Sequence, residues 1–256
     1  MKRLLILGAS ILQLPAIKKA KQKGYYTIVA DMNPNAIGVQ YADEFHCVST
    51  IDIDGDVITN QTHELGNGVN IVFMGDCFDA RDIAKGTYLS GTNEAIDHFF
   101  SVEPYKTYRD YFNVYTVFGM SADSGMGTVN TIREARFGSQ YTLNEGVSPN
   151  FETVFAGACV APINNDVATT LVILVENSNE YSGLCYMWGD GSAVAIVPMS
   201  TDPAPYDFQG LVHHEAGGHG FGKLADEYIY HNAFIQSCSC LCCCHTKEIN
   251  AMKSYG

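Results

Sequence analysis

Apolar residues open this chain in two different rhythms. Arg3-Leu-Leu-Ile-Leu7 is a short apolar run of the length expected for a buried strand. Gly8-Ala-Ser10 then reads as a tight turn packed inside a βαβ unit. From Ile11 to Lys23 the period changes: Leu14, Ile17 and Ala20 share one face and lysines take the other, which predicts an amphipathic helix. Pro15 fits its first turn and Gly24 its C-terminal cap. Tyr25 to Ala30 predicts a second strand ending at Asp31, so the two strands should lie parallel.

The same reading continues downstream. Val69-Asn-Ile-Val-Phe-Met74 predicts a strand that ends at Gly75-Asp76, and Asn93 to Val102 predicts a helix. Tyr111 to Phe118 is a β-branched and aromatic strand, and Thr170 to Val175 and Ala193 to Val197 are two more buried strands. A helix should follow Pro205-Tyr-Asp207 and carry a cluster of histidines. Strands alternating with helices place the chain in the α/β class, and the sequence carries no internal repeat.

Composition narrows the options. The chain has 256 residues, 46% hydrophobic and 17% charged, which describes folded protein with enough length for one large domain or two small ones. The formal net charge of −13 argues against a nucleic-acid partner, because phosphates would be repelled. Six of the 15 Lys and Arg residues lie in the first 23 positions, a break in composition that suggests two origins. No apolar run approaches the ~18 residues of a membrane helix. Met1-Lys-Arg3 and the following apolar run do not make a clear signal peptide, since Gln13, Pro15 and four lysines interrupt it. Cys47, Cys77, Cys159 and Cys185 show no disulfide-framework spacing, so cysteine usage does not settle the compartment.

Residues 1–52 resemble the opening of ATP-grasp enzymes. The residues that carry this are Leu5-Ile-Leu-Gly-Ala-Ser-Ile-Leu-Gln-Leu-Pro15, Gly24-Tyr-Tyr-Thr-Ile-Val-Ala-Asp31 and Tyr41-Ala-Asp43. The resemblance implies a partial βαβ unit of the kind that precedes an ATP-grasp domain. The nucleotide-binding lysine and paired acidic magnesium ligands of a ligase have no counterpart later in the sequence, and Gly8-Ala-Ser lacks the dinucleotide pattern.

The densest chemistry lies in Leu211-Val-His-His-Glu-Ala-Gly-Gly-His-Gly-Phe-Gly222. Zinc takes neutral imidazole nitrogens, and a catalytic site uses three protein ligands plus a water. A carboxylate beside the first ligand can take a proton from that water. The familiar arrangement is His-Glu-x-x-His, because residues four apart share a helix face. Here His214 and His219 are five apart. At about 100° per residue an α-helix would leave the two rings about 140° apart. A π-bulge would absorb the extra residue, and Gly217 and Gly218 are permissive at that place. Packing alone explains three histidines, a glutamate and several glycines poorly, since the glycines weaken a helix. The form His-Glu-x-x-Gly-His also resembles that of dipeptidyl peptidase III-like enzymes.

From about residue 54 to 237 the chain resembles the M64 metallopeptidases, named for an immunoglobulin-A-cleaving enzyme. The matching stretches are Asn70-Ile-Val-Phe-Met-Gly-Asp76, Glu103-Pro-Tyr-Lys106, Tyr111-Phe-Asn-Val-Tyr115, Arg136-Phe-Gly-Ser139, Asn177 to Gly183 and His214 to Tyr228. The resemblance implies a zincin-like metallopeptidase domain and a secreted or periplasmic zinc endopeptidase; the opening residues make no clear signal peptide, which leaves the cytoplasm open. His214 and His219 are the expected zinc ligands and Glu215 the catalytic base. Gly222 is expected to turn the chain back, making Asp226 the third ligand, with Glu227 and His231 as alternatives. Tyr228 is either an oxyanion donor or a packed ring. Asn177 to Gly183 and Gly191 to Val194 bound a strand edge that is expected to hold substrate, or else are ordinary turns.

The resulting organisation is a βαβ fragment at 1–52, an M64-like domain at 53–237 that is expected to be C-terminally truncated, and a Cys-rich tail at 238–256. The tail, with Cys238, Cys240, Cys242, Cys243, Cys244 and His245, reads as a non-native extension rather than a soft-metal site. The expected function is zinc-dependent peptide hydrolysis by a metal-activated water, with a protein or peptide as substrate. The alternatives are a zinc-binding or glycan- or protein-binding remnant without turnover, and an ATP-grasp-type ligase fragment.

Overall fold

The computed structural model describes residues 2–31, 33–47, 54–143 and 146–226. The chain divides into two compact units, Met1–Ile53 and Asp54–Gly256.

In the first unit, β1 (Arg3–Leu7), α1 (Leu14–Gln22), β2 (Tyr26–Asp31) and β3 (Glu44–Cys47) form a parallel three-stranded sheet in the order β1-β2-β3. Ile17 of α1 and Val29 of β2 are fully buried around Ala9, as the helical periodicity requires. α1 begins three residues later than Ile11, because Ser10 caps a turn through the Leu12 amide and the Gln13 and Leu14 amides bond to its carbonyl. The turn after β1 is closed by the chain itself. The Ala9 amide donates to Asp31 Oδ2 at 2.6 Å. That amide is the kind that faces a phosphate in dinucleotide-binding turns, and here an internal carboxylate takes the place of an anion. The backbone bonds from Asn33 and Ala9 hold the Asp31 carboxyl below its ordinary pKa.

The second unit is built on a six-stranded mixed sheet. Its strands are β4 (Val57–Gln61), β5 (Val69–Asp76), β6 (Phe112–Val117), β9 (Leu171–Glu176), β10 (Leu184–Met187) and β11 (Ala193–Pro198), after a small β7–β8 pair (Gln140–Tyr141 and Val147–Ser148). The order is β10-β11-β9-β5-β6-β4, with the four inner strands parallel and both edges antiparallel. β6, β9 and β11 are buried along their whole length, which is why they read as continuous apolar runs. On one face Val72, Met74, Val172, Leu174, Val194 and Ile196 pack with Phe137 and with Val154 and Ala158 of α4 (Phe151–Ala158). The other residues of the strands meet α3 (Thr87–Phe99) and a helix that follows β11, as Gly91 does against Val175 and Gly220 against Leu171.

α3 starts six residues before the expected Asn93. Gly86, at φ +83°, ends α2 (Ala80–Ala84) and starts α3 in one step, and Asp79 with Asp82 closes a capping box on α2. Among the described residues no helix is long and apolar enough to cross a membrane.

The chain leaves β5 toward β6 on one side and returns to β9 on the other, so the C-terminal ends of β5 and β9 flank the point where the strand order reverses. Asp76 and Glu176 stand there, both fully buried. Asp76 Oδ1 accepts from the amides of Cys77 (2.8 Å) and Phe137 (3.1 Å) and from the Ser121 hydroxyl (3.0 Å), while Oδ2 accepts from the Ser139 amide (3.0 Å). Glu176 accepts from the Ser139 hydroxyl at 2.6 Å and from the Cys77 thiol. Burial, and then the Asp76 charge, push the Glu176 carboxyl well above its ordinary pKa. The pair staples the segment from Ser121 to Ser139 across the end of the sheet.

Asp76→Ala should therefore cost about 3–5 kcal/mol of unfolding free energy, because several buried donors lose their acceptor at once. Denaturant unfolding of the two chains measures it, and a loss below about 1 kcal/mol would show that the staple does not hold the fold.

Candidate metal centre

Asp207 starts the site helix by accepting the Gly210 amide at 2.9 Å. One α-helical turn, α5 (Phe208–Leu211), passes directly into a π-helix over Val212–Phe221. The sequence predicts a distortion between the two histidines, and the structure extends it over the whole motif. A π-helix bonds residue i to i+5 and so brings positions five apart onto one face. The glycines make this geometry packable. A side chain at Gly220 would place a Cβ 2.7 Å from Leu171 Cδ1 and 3.5 Å from Cys185 Sγ. At Gly217 it would stand 3.1 Å from the Tyr105 ring. The Gly217 carbonyl accepts from the Gly222 amide at 2.9 Å and also from the Tyr105 hydroxyl at 2.6 Å.

His214 and His219 converge as a result. Their rings stand 4.6 Å apart and nearly perpendicular, with the two Nε2 atoms 3.2 Å apart. Asp226 Oδ1 lies 3.1 Å from Nε2 of His219 and 3.3 Å from Nε2 of His214. The Nδ1 atom of His219 lies 2.7 Å from the Leu224 carbonyl. A carbonyl only accepts, so Nδ1 carries the proton and Nε2 of the neutral ring presents a lone pair. Nε2 faces a carboxylate oxygen and a second imidazole nitrogen, three atoms that can each give an electron pair to a cation placed among them.

The spacing fits a divalent metal. Ligand bonds of about 2.0 Å in a tetrahedron put the ligand atoms about 3.3 Å from one another, and the three observed separations run from 3.1 to 3.3 Å. Two imidazoles and one carboxylate are a donor set suited to zinc.

Glu215 stands behind this triangle. It is 6% exposed, and its carboxylate lies within 4.8 Å of both histidine donor atoms. Gly183, just before β10, packs against it, and any Cβ there would meet Glu215 Cγ and Oε1 at 3.0 Å. Burial raises its pKa to about 7, with His219 opposing and Asp226 adding to the rise. His213 turns away from the site: its Nε2 bonds to the His98 carbonyl at 2.8 Å and the Ser101 hydroxyl at 2.9 Å, tying the helix to the end of α3.

The structure brings His214, Glu215, His219 and Asp226 together. Glu227, Tyr228, His231 and the Cys238–His245 cluster lie outside the described residues. The return turn falls at Lys223, with φ +53°, and Gly222 has φ −72°, so the glycine is not the turning residue. Tyr105 and the Leu224 carbonyl were not singled out from the sequence. Tyr105 falls in the stretch Glu103-Pro-Tyr-Lys106, which was the available signal, while a backbone acceptor leaves none. A second close group, Asp76, Cys77 and Glu176, has its oxygens occupied by protein donors and belongs to the staple at the sheet end.

A family model described as IgA Peptidase M64 matches residues 57–238, a span that includes all six strands of the sheet and the whole π-helix. A comparison with curated proteins finds no match.

Metal binding separates the histidines by role. If the three converging donors hold a metal, His219→Ala should weaken its binding by more than the roughly 10²-fold that outer partners typically cost, because it removes one of the three donors. His213→Ala should stay within about threefold of the parent, since its ring bonds to α3. Zinc titration calorimetry on the full chain reads both, and equal losses in the two variants would contradict the assignment.

Proposed function

The chain belongs to the IgA Peptidase M64 family, and from that premise we propose that it is a zinc-dependent endopeptidase in which Glu215 is the general base. The observation that carries this reading is one buried carboxylate, held near neutrality, beside three convergent metal-type donors. We read the fold as zincin-like, a mixed sheet whose antiparallel edge strand lies beside the helix bearing the two histidines.

His214, His219 and Asp226 would hold the ion. Bound there, zinc polarises a water and the scissile carbonyl. The remaining work falls to the protein. Glu215 takes a proton from the attacking water and returns it to the departing amine. Its neighbouring position on the helix points it differently from His214, so it reaches the water without replacing a ligand. Among the described residues β10 pairs with β11 on one side only, and it packs against the π-helix. An extended peptide can add to its other edge through main-chain hydrogen bonds, which suits a protein or peptide substrate. The same resemblance supports a secreted or periplasmic setting. The likeness of residues 1–52 to ATP-grasp openings adds no catalytic residue.

Glu215→Gln keeps the size of the side chain and removes the base. Zinc should stay bound while peptide hydrolysis falls by about 10²–10⁴-fold. The base works deprotonated, so kcat/KM of the parent should drop as pH falls through the Glu215 pKa. That value is about 7 in the protein alone, and a nearby cation lowers it, so the acidic limb should lie at or below pH 7. Equal cleavage by the parent and Glu215→Gln would refute the mechanism. Zinc binding with no cleavage of a broad peptide library would favour a binding module instead.

A further inference from the structure

The segment that brings Asp226 back to the histidines turns at Lys223, in the left-handed region that a lysine rarely adopts. Backbone bonds hold the turn: Gly222 N–H to the Gly217 carbonyl, Lys223 N–H to His219 and Leu224 N–H to Gly218. None of these uses a lysine side chain, and glycine would make the same turn without strain. A charged side chain at this position has a separate task.

That side chain reaches across to the β10–β11 hairpin. Its ammonium donates to the Gly191 carbonyl at 2.9 Å. Gly191, at φ +101°, closes the hairpin turn, in which Trp188 N–H bonds to the Ser192 carbonyl and Gly191 N–H to the Trp188 carbonyl. Asp190 fixes the turn further by accepting the Ser192 amide and hydroxyl. Cys185 of β10 and Asp190 are the titratable groups that face the ammonium. Lys223 and Gly191 are both exposed, so their contact lies at the surface.

Among the described residues β10 pairs with β11 alone, and an edge strand has fewer backbone partners than an inner one. In the peptidase reading it is also the strand that aligns the substrate. Main-chain bonds to an ordered edge strand hold substrate and transition state alike, so loosening that strand weakens binding more than it slows the chemical step. We propose that Lys223 is a positioning residue, a strap from the metal-bearing return loop to the hairpin turn that fixes the substrate-aligning strand relative to the metal ligands. This rests on the peptidase reading for its consequence, while the strap itself is a property of the chain.

The test uses the full chain with Lys223→Met, which keeps the length and loses the donor, and Lys223→Arg, which can still donate to one carbonyl. Amide hydrogen exchange on the metal-free protein reads the strap directly. Exchange at Trp188 and Gly191 should quicken roughly tenfold in Lys223→Met, the effect of losing one charge-assisted hydrogen bond. Val172 in the central strand should be unchanged, and Lys223→Arg should recover most of the protection. In the zinc-loaded enzyme Lys223→Met should raise KM by roughly three- to tenfold with kcat within about twofold. Zinc affinity should remain within about threefold, because no ligand is touched. Unchanged exchange at Trp188 and Gly191 would overturn the strap. Faster exchange with unchanged KM, or with an equal fall in kcat, would overturn its role in placing substrate. If the parent cleaves no peptide, the peptidase reading fails on its own, and the exchange result still decides the strap.

Discussion

Two histidines five residues apart on one helix can meet a single metal only if that helix is not α-helical. Much of the second unit answers to this constraint. The π-helix turns His214 and His219 onto one face, and its wide turns need glycines where the backbone approaches its neighbours. Gly220 lets it settle on Leu171 of β9, and Gly217 leaves room for the Tyr105 ring, whose hydroxyl bonds to the Gly217 carbonyl. Such a helix gains little from intrinsic propensity, so it depends on packing against the sheet and α3. His213 adds a tether to the end of α3 from the position next to His214.

The sheet supplies the rigid reference for this helix. Its inner strands are buried on both faces, and the Asp76–Glu176 staple closes the end from which the loops toward the site depart. Gly183 stands between β9 and β10 and is one wall of the Glu215 pocket. The edge strand, the buried Glu215 and the three converging side chains therefore share one frame. The environment of Glu215 follows from the same packing, because burial is the first cause of its raised pKa.

The inner strands were legible in the sequence because burial on both faces demands unbroken apolar runs, as in Thr170–Val175 and Ala193–Val197. β10 was not legible: Leu184-Cys-Tyr-Met187 is short, half-exposed and shows no alternation. α3 begins at Thr87, ahead of the expected Asn93, because Gly86 alone of the two nearby glycines takes the positive φ that starts it, and Gly91 lies within the helix. At the site, residue types and spacing pointed to His214, Glu215 and His219, while Asp226 was chosen beside Glu227 and His231 on an expected turn at Gly222 that the chain makes at Lys223 instead. The supporting parts were hidden for physical reasons. The Leu224 carbonyl belongs to the backbone and carries no residue signature, and Tyr105 acts across 112 positions of chain. The turn at Lys223 breaks the rule that assigns positive φ to glycine, and it does so beside a glycine.

The central claim is that the π-helix and its return loop gather two imidazoles and one carboxylate around a single zinc ion. Zinc-edge X-ray absorption on the intact chain, loaded with one equivalent of zinc, tests it most directly. The five cysteines between Cys238 and Cys244 offer the ion an alternative home, and sulfur is distinguished by its longer bond of about 2.3 Å. The account expects a first shell of nitrogen and oxygen at about 2.0–2.1 Å, with outer-shell scattering from two imidazole rings. A shell dominated by sulfur, or one with a single imidazole, would contradict it.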